Sequence, residues 1–313
     1  MTTENTPISH DVTLSDEIAT APPSVLVFNT NDPSGAGGLS ADVLACASVG
    51  AHALPVVTGT YIRDTAEIFD HIAFDEEAVT EQARSVLEDV SVQVIKVGFC
   101  GNPENLSVIA EITSDYAEVP VVAYMPNLSW WEDAQIDAYL DAFRELILPQ
   151  TTVLVGNHNT LWRWLLPDWD QTRSPGPRDL ARAAADVGVP YVLVTGINHP
   201  EQQVENALAT AHTVMVSERF ERFDAVFSGA GDTLSITLAA LLSSGTDLEA
   251  ATHEALNFLD QSLNSGYRPG MGHVLPDRLF WAEMEDDEES PVREGEGPAT
   301  AEDFSLPRFE TKH

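Results

Sequence analysis

Phe227-Ser228-Gly229-Ala230-Gly231-Asp232-Thr233-Leu234-Ser235, running without a break into the apolar stretch Ile236 to Leu242, is the segment whose reading decides the fold. Leu234, Leu238, Leu241 and Leu242 recur at i, i+4, i+7 and i+8 with Ala239 and Ala240 between them, which predicts a helix buried over most of its circumference. Gly229 and Gly231 at its mouth let backbone N–H groups converge on one point. Such unpaired groups carry partial positive charge, so Gly229, Ala230 and Gly231 form a candidate anion hole that needs no lysine. Asp232 stands at its edge, where a carboxylate can take a proton from an attacking hydroxyl while the backbone stabilises a transferred phosphoryl group. The plainer alternative is an ordinary helix start with Asp232 as a first-turn acid.

A second turn of the same kind lies near the other end. Val25 to Phe28 reads as a strand buried on both faces, Asn31-Asp32-Pro33-Ser34-Gly35-Ala36-Gly37-Gly38 as a turn cluster, and Leu39 to Val49 as a helix. The turn lacks the Gly-Lys-Ser/Thr of a Walker loop and the Gly-x-Gly-x-x-Gly of a dinucleotide fold. Asp32 and Asp42 are candidate ligand contacts here, or simple turn acids. Downstream, strands at 54–58, 92–97, 119–125, 152–155 and 190–195 alternate with helices at 76–90, 103–116, 134–148 and 177–187. That alternation predicts an α/β protein with a mostly parallel central sheet and helices on both faces. Segments 213–216 and 219–227, with no helix between them, are expected to form an antiparallel edge pair. In such sheets ligands bind at the carboxyl ends of the strands, which places Asn29, Asp32, Asn157, Thr195, Gly196 and Ser228 on one rim.

Of the 313 residues, 50 are acidic and 15 basic, giving a net charge of -35, a field that excludes nucleic acid and anionic membranes as partners. Lys96 and Lys312 are the only lysines, a pattern that fits a salt-adapted surface or a base-composition bias. Residues 1–22 and 283–313 are rich in polar and acidic residues and are expected to be disordered, leaving 23–282 as the folded domain. Two cysteines, Cys46 and Cys100, sit in apolar surroundings and suit reduced thiols. With no signal-like or membrane-spanning run, a cytoplasmic protein is expected. Trp130, Trp131, Trp162, Trp164 and Trp169 are read as core or subunit-interface packing, the latter compatible with a homodimer. His273 has no second histidine at a metal-ligand spacing, and no metal ligands are assigned.

Asp32 to Asp42 and Ser228 to Ser235, together with Lys96-Val97-Gly98 and Gly270-Met271-Gly272-His273, resemble the hydroxymethylpyrimidine/phosphomethylpyrimidine kinases of thiamine synthesis, from about Val25 to Pro276. These belong to the ribokinase-like superfamily, with pyridoxal kinases as close relatives, and the resemblance implies a three-layer sandwich. It further implies ATP and Mg²⁺ as cofactors, a small heterocyclic alcohol as substrate, and Asp232 as general base. Asn29, Asp32, Asp42 and Arg63 would then face the substrate, and Asn157, Thr195, Gly196 and Ser228 the nucleotide. The chain departs from the family pattern at several positions. Arg63 replaces a ring-reading glutamine, Asn29 a glycine, Tyr124-Met125-Pro126-Asn127 an Asp-Pro pair, and Asn157-His158-Asn159-Thr160 a segment whose last residue is a magnesium-binding glutamate. Arginine at 63 predicts a preference for an anionic heterocycle, the alternative being that it pairs with Asp64 or another acid at the rim and meets no ligand. The alternatives are a pyridoxal-type kinase and a catalytically weak vitamin-binding or sensor protein.

Overall fold

A computed structural model describes residues 21–282. The two terminal segments expected to be disordered lie outside those residues, apart from 21 and 22. By its internal contacts the chain divides after Phe280, into Met1–Phe280 and Trp281–His313. All that follows concerns the first unit.

The strands are β1 (Ser24–Asn31), β2 (His52–Arg63), β3 (Ile68–Ala73), β4 (Val94–Val97), β5 (Val121–Met125), β6 (Val153–Asn157), β7 (Tyr191–His199), β8 (Gln203–Ala209) and β9 (Val214–Glu221). They form one sheet in the order β3-β2-β1-β4-β5-β6-β7-β8-β9. The six strands from β2 to β7 in that order are parallel, and antiparallel strands close both edges: β3 on one side, the β8 and β9 hairpin on the other. The helices are α1 (Gly38–Ser48), α2 (Glu76–Leu87), α3 (Pro103–Asp115), α4 (Asp133–Ala142), α5 (His158–Leu165), α6 (Pro177–Ala185), α7 (Ala230–Ser243) and α8 (Leu248–Asn264). This is the three-layer α/β sandwich expected.

Strand parity sorts the side chains into two cores, because successive residues of a strand point to opposite faces. Leu26 and Phe28 of β1 join the core under α2 to α6, whereas Val25 and Val27 join the one under α1, α7 and α8. Val94 of β4 and Val122 of β5 also point to the second face. By the same alternation Asn29, Lys96 and Tyr124, each two residues further on, point there too, at the carboxyl ends of their strands. The α7 run Thr233 to Ala240 is wholly buried, as its sequence required.

Two expectations need correction, and one element was not foreseen. The antiparallel edge is β8 with β9, not 213–216 with 219–227: Ser217 and Glu218 look like a break but are residues of a half-exposed edge strand that pairs with Ala207 and Asn206. The helix expected at 134–148 ends as α4 at Ala142, and Phe143–Ile147 continues as a wider π turn. Residues 158–165, to which the sequence reading assigned no element, form α5, because the Asn157 side chain accepts from the Asn159 N–H and caps it. Among the tryptophans, Trp130 and Trp131 stack on each other and pack edge-on against Phe99 and His71, and Trp164 packs against Phe143. No helix among the described residues is long and apolar enough to cross a membrane.

Candidate active site

Gly229 is the N-cap of α7 at φ 89°, in the left-handed region that glycine tolerates and other residues resist. A side chain there would also run into the Ala36 carbonyl of the other glycine turn. The two turns are therefore stacked directly on each other. Thr233 N–H donates to the Gly229 carbonyl (3.0 Å), which leaves the N–H groups of Ala230, Gly231 and Asp232 at the first three helical positions without an intrahelical acceptor. Arg278, 3% exposed, locks the stack: its Nε donates to Thr233 Oγ1 (2.9 Å) and its Nη atoms donate to the Gly35 and Ala36 carbonyls.

Beneath the turns lies a buried network that the strand parity builds. Lys96 Nζ donates to Asp42 Oδ1 (2.8 Å) and Oδ2 (3.1 Å) and to Asp232 Oδ1 (3.1 Å). Asn29 Nδ2 donates to Asp42 Oδ2 (2.8 Å) and Asp232 Oδ1 (2.9 Å), while its Oδ1 accepts from the N–H groups of Thr30 and Phe99. Gly38 N–H donates to Asp232 Oδ2 (3.1 Å). The Lys96 and Asp42 side chains are 0% exposed and that of Asp232 is 16% exposed, so Asp232 is the network's opening to the surface.

The surroundings push the two carboxylates apart, a common way to give paired acids different roles. Asp42, sealed from water, is raised to about 6 by burial, against the pull of Lys96. For Asp232 burial acts upward as well, but the Lys96 ammonium, the Asn29 amide and the Gly38 N–H outweigh it and hold the carboxyl below its usual range. Burial opposes the charge on Lys96, and the two carboxylates more than restore it. Asp232 is thus ionised at neutral pH, as a proton acceptor must be.

A third layer of contacts aligns the turns. Asp32 Oδ2 accepts from Gly37 N–H (2.8 Å) and from Arg63 Nη1 (3.0 Å), and Arg63 Nη2 donates to Ser228 Oγ (3.0 Å). With Nε on the Asp64 carbonyl, the Arg63 side chain is 6% exposed and each of its three nitrogens donates one hydrogen bond within the protein. Its charge is paired with Asp32, the kind of partner the alternative reading of Arg63 requires.

A cavity of about 790 Å³ opens beside the α7 turn, lined by Gly229, Ala230 and Gly231 at one end and by Tyr124, Asn157, Thr195 and Arg163 elsewhere. Asn157 and Thr195, expected to face a nucleotide, both line this cavity. Gly196 and Ser228 are not among the residues that line it; Gly196 N–H donates to Asn206 Oδ1 (3.0 Å) on β8. Asn29, Asp32, Asp42 and Arg63 lie below and beside the turns rather than in this cavity. Sequence reasoning missed Lys96, Tyr124 and Arg278 as site residues. A charge inside a four-residue strand buried throughout had to be paired, which was the available signal for Lys96. Arg278 lies in no motif and gave none.

A family model for phosphomethylpyrimidine kinase matches residues 32–277. The hydroxymethylpyrimidine/phosphomethylpyrimidine kinase of Streptomyces coelicolor is 27% identical over 266 residues, spanning 83% of this chain and 96% of that protein. Among solved structures, a pyridoxal kinase from Bacillus subtilis in complex with ADP superposes with a TM-score of 0.75 at 17% identity, covering 84% of this chain and 100% of that one. A phosphomethylpyrimidine kinase from Clostridium difficile superposes with a TM-score of 0.61 at 18% identity, over 75% and 97% of the two chains. The family model spans more than three quarters of the chain, including both glycine turns and the buried Asp-Lys-Asp network: the chain belongs to the phosphomethylpyrimidine kinase family.

Proposed function

We propose that this protein is an ATP-dependent kinase that phosphorylates the hydroxymethyl group of 4-amino-5-hydroxymethyl-2-methylpyrimidine, or the phosphate already on it, in thiamine biosynthesis. The observation that carries the reading is Asp232. It is ionised, is the exposed member of a buried network, and sits on the same helical turn as three N–H groups free to meet an anion. In the forward step the substrate O–H gives its proton to Asp232 as the oxygen bonds to the γ-phosphorus of ATP. The bond to the β,γ-bridging oxygen breaks, and ADP leaves with that electron pair. The N–H groups of Ala230, Gly231 and Asp232 face the charge that develops on the transferred group. Lys96 and Asn29 keep Asp232 oriented and ionised, and the Asp32, Arg63 and Ser228 chain with Arg278 holds the two turns in register.

Magnesium fits this site poorly as a protein-held ion. Among the described residues no group of three His, Cys, Asp or Glu is placed to hold a metal, and Asp133 is the sole carboxylate among the cavity's lining residues. The nucleotide phosphates and water are left to hold the ion. The test is ADP release with hydroxymethylpyrimidine, its phosphate and pyridoxal as acceptors. Turnover on a pyrimidine is expected, falling by about 10² to 10⁴ in Asp232→Asn with the fold intact. Turnover on pyridoxal alone would move the substrate to the neighbouring class, and an Asp232→Asn variant at wild-type rate would remove the base.

A further inference from the structure

Tyr124, next to last in β5, points to the same face as α7, and its phenol lies so close over Gly231 that a methyl group at 231 would overlap the ring and hydroxyl. It lines the cavity together with Gly229, Ala230 and Gly231. Lys96 Nζ sits over the ring, 5.7 Å from its centroid. The phenol is therefore fixed by its neighbours, while its hydroxyl has no hydrogen-bond partner among the described residues. A cavity-facing donor with no acceptor among the described residues, at the mouth of a helix whose first N–H groups are also unmatched, is placed to meet an anion. Its character as a donor is secure, because burial and then the Asp232 and Asp42 charges drive its proton affinity far above the ordinary phenol range.

We infer that the Tyr124 hydroxyl is a further donor of the anion hole, giving its hydrogen bond to a phosphate oxygen held over Gly231, so that a neutral side chain works at the transferring phosphoryl group in a site where no group of three metal-ligating side chains occurs among the described residues. The inference rests on the reading above that phosphate meets the α7 turn. It also explains why Gly231 is glycine: the phenol occupies the space of its side chain, and Gly231→Ala has to push the hydroxyl off the turn.

The test uses the full chain and inorganic tripolyphosphate, titrated calorimetrically into the wild type, Tyr124→Phe, Gly231→Ala and the double variant. Phenylalanine keeps the ring and its packing, so the melting temperature is expected to hold while affinity falls five- to tenfold, the worth of one hydrogen bond. Gly231→Ala is expected to weaken binding too, and the double variant to be no weaker than the worse single one, since both remove the same donor. In the kinase assay Tyr124→Phe is expected to lower kcat about tenfold and leave KM for the alcohol unmoved. Tripolyphosphate binding to Tyr124→Phe within twofold of wild type, no binding to the wild type, or additive losses would overturn the assignment. A wild type that binds tripolyphosphate through Tyr124 but phosphorylates no acceptor would sink the kinase reading and leave this one standing.

Discussion

Replacing Lys96 by methionine is the sharpest test of the buried network. The ammonium is fully sealed and lies 2.8 to 3.1 Å from three carboxylate oxygens of Asp42 and Asp232. Methionine fills a similar volume but leaves two carboxylates facing each other with Asn29 as their shared donor. Removing one partner of a buried ion pair costs about 3 to 5 kcal/mol, because the desolvated charge that remains has nothing to offset it. In a folded unit of this size that corresponds to a melting temperature lower by about 6 to 20 °C. The loss should depend on pH with a definite sign. Without Lys96 both native carboxyls rise above their unfolded values near 3.9, so the native state binds more protons than the unfolded chain, and stability relative to wild type returns as pH falls from 8 towards 5. Asp42→Asn in the same background removes one of the two charges and is expected to recover about 1 kcal/mol or more. Urea denaturation at several pH values reads all of this. A Lys96→Met variant within about 1 kcal/mol of wild type, or one whose deficit grows as pH falls, would refute the reasoning.

Two further outcomes follow from the same geometry. Protonating Asp42, with its carboxyl at about 6, hands Lys96 wholly to Asp232 and weakens the base. A plot of log kcat/KM against pH is therefore expected to bend near 6 in the wild type and to lose that bend in Asp42→Asn. Arg278→Met leaves Thr233 Oγ1 and the Gly35 and Ala36 carbonyls without their donor and is expected to cost about 2 to 4 kcal/mol in urea and to raise KM for ATP as the turns separate, whereas unchanged stability would show that the turns hold each other unaided.

Legibility in the sequence followed the locality of the physics. The α7 start, the first glycine turn and the parallel strands are set by patterns spanning a few residues, and all are found where the apolar periods and glycines put them. The β8 and β9 edge was hidden because an edge strand half open to water alternates weakly, and Ser217 and Glu218 mimic a turn. The site was legible as two turns but not as a network. Which donors reach Asp232 depends on the register that sets Lys96 beside Val27, a pairing across 69 residues. Arg63 shows the same limit from the other side: its charge was visible, but its commitment to Asp32 and Ser228 exists only once β2 and the α7 turn meet.

How a chain of net charge -35 takes up a polyanion is the remaining physical question, and the site answers it by the kind of donor it uses. Lys96 is spent on two carboxylates, Arg63 on Asp32, and Arg278 on backbone carbonyls and Thr233. That leaves Arg163 as the single cation among the cavity's lining residues. Attraction for the nucleotide phosphates then rests mainly on oriented neutral donors, which act at contact range in a partly desolvated site and are little affected by salt. The opposing field of the acidic surface acts at long range and is screened, its reach falling from about 10 Å at 0.1 M to about 3 Å at 1 M ionic strength. Raising the salt thus removes the repulsion faster than it weakens the binding. KM for ATP is expected to fall roughly two- to tenfold between about 0.05 and 0.5 M KCl, the effect of screening a surface potential of order one to two kT. A site built on free lysines and arginines would show the opposite slope, and a KM that rises steadily across that range would mean that exposed cations, not the α7 turn, hold the phosphates.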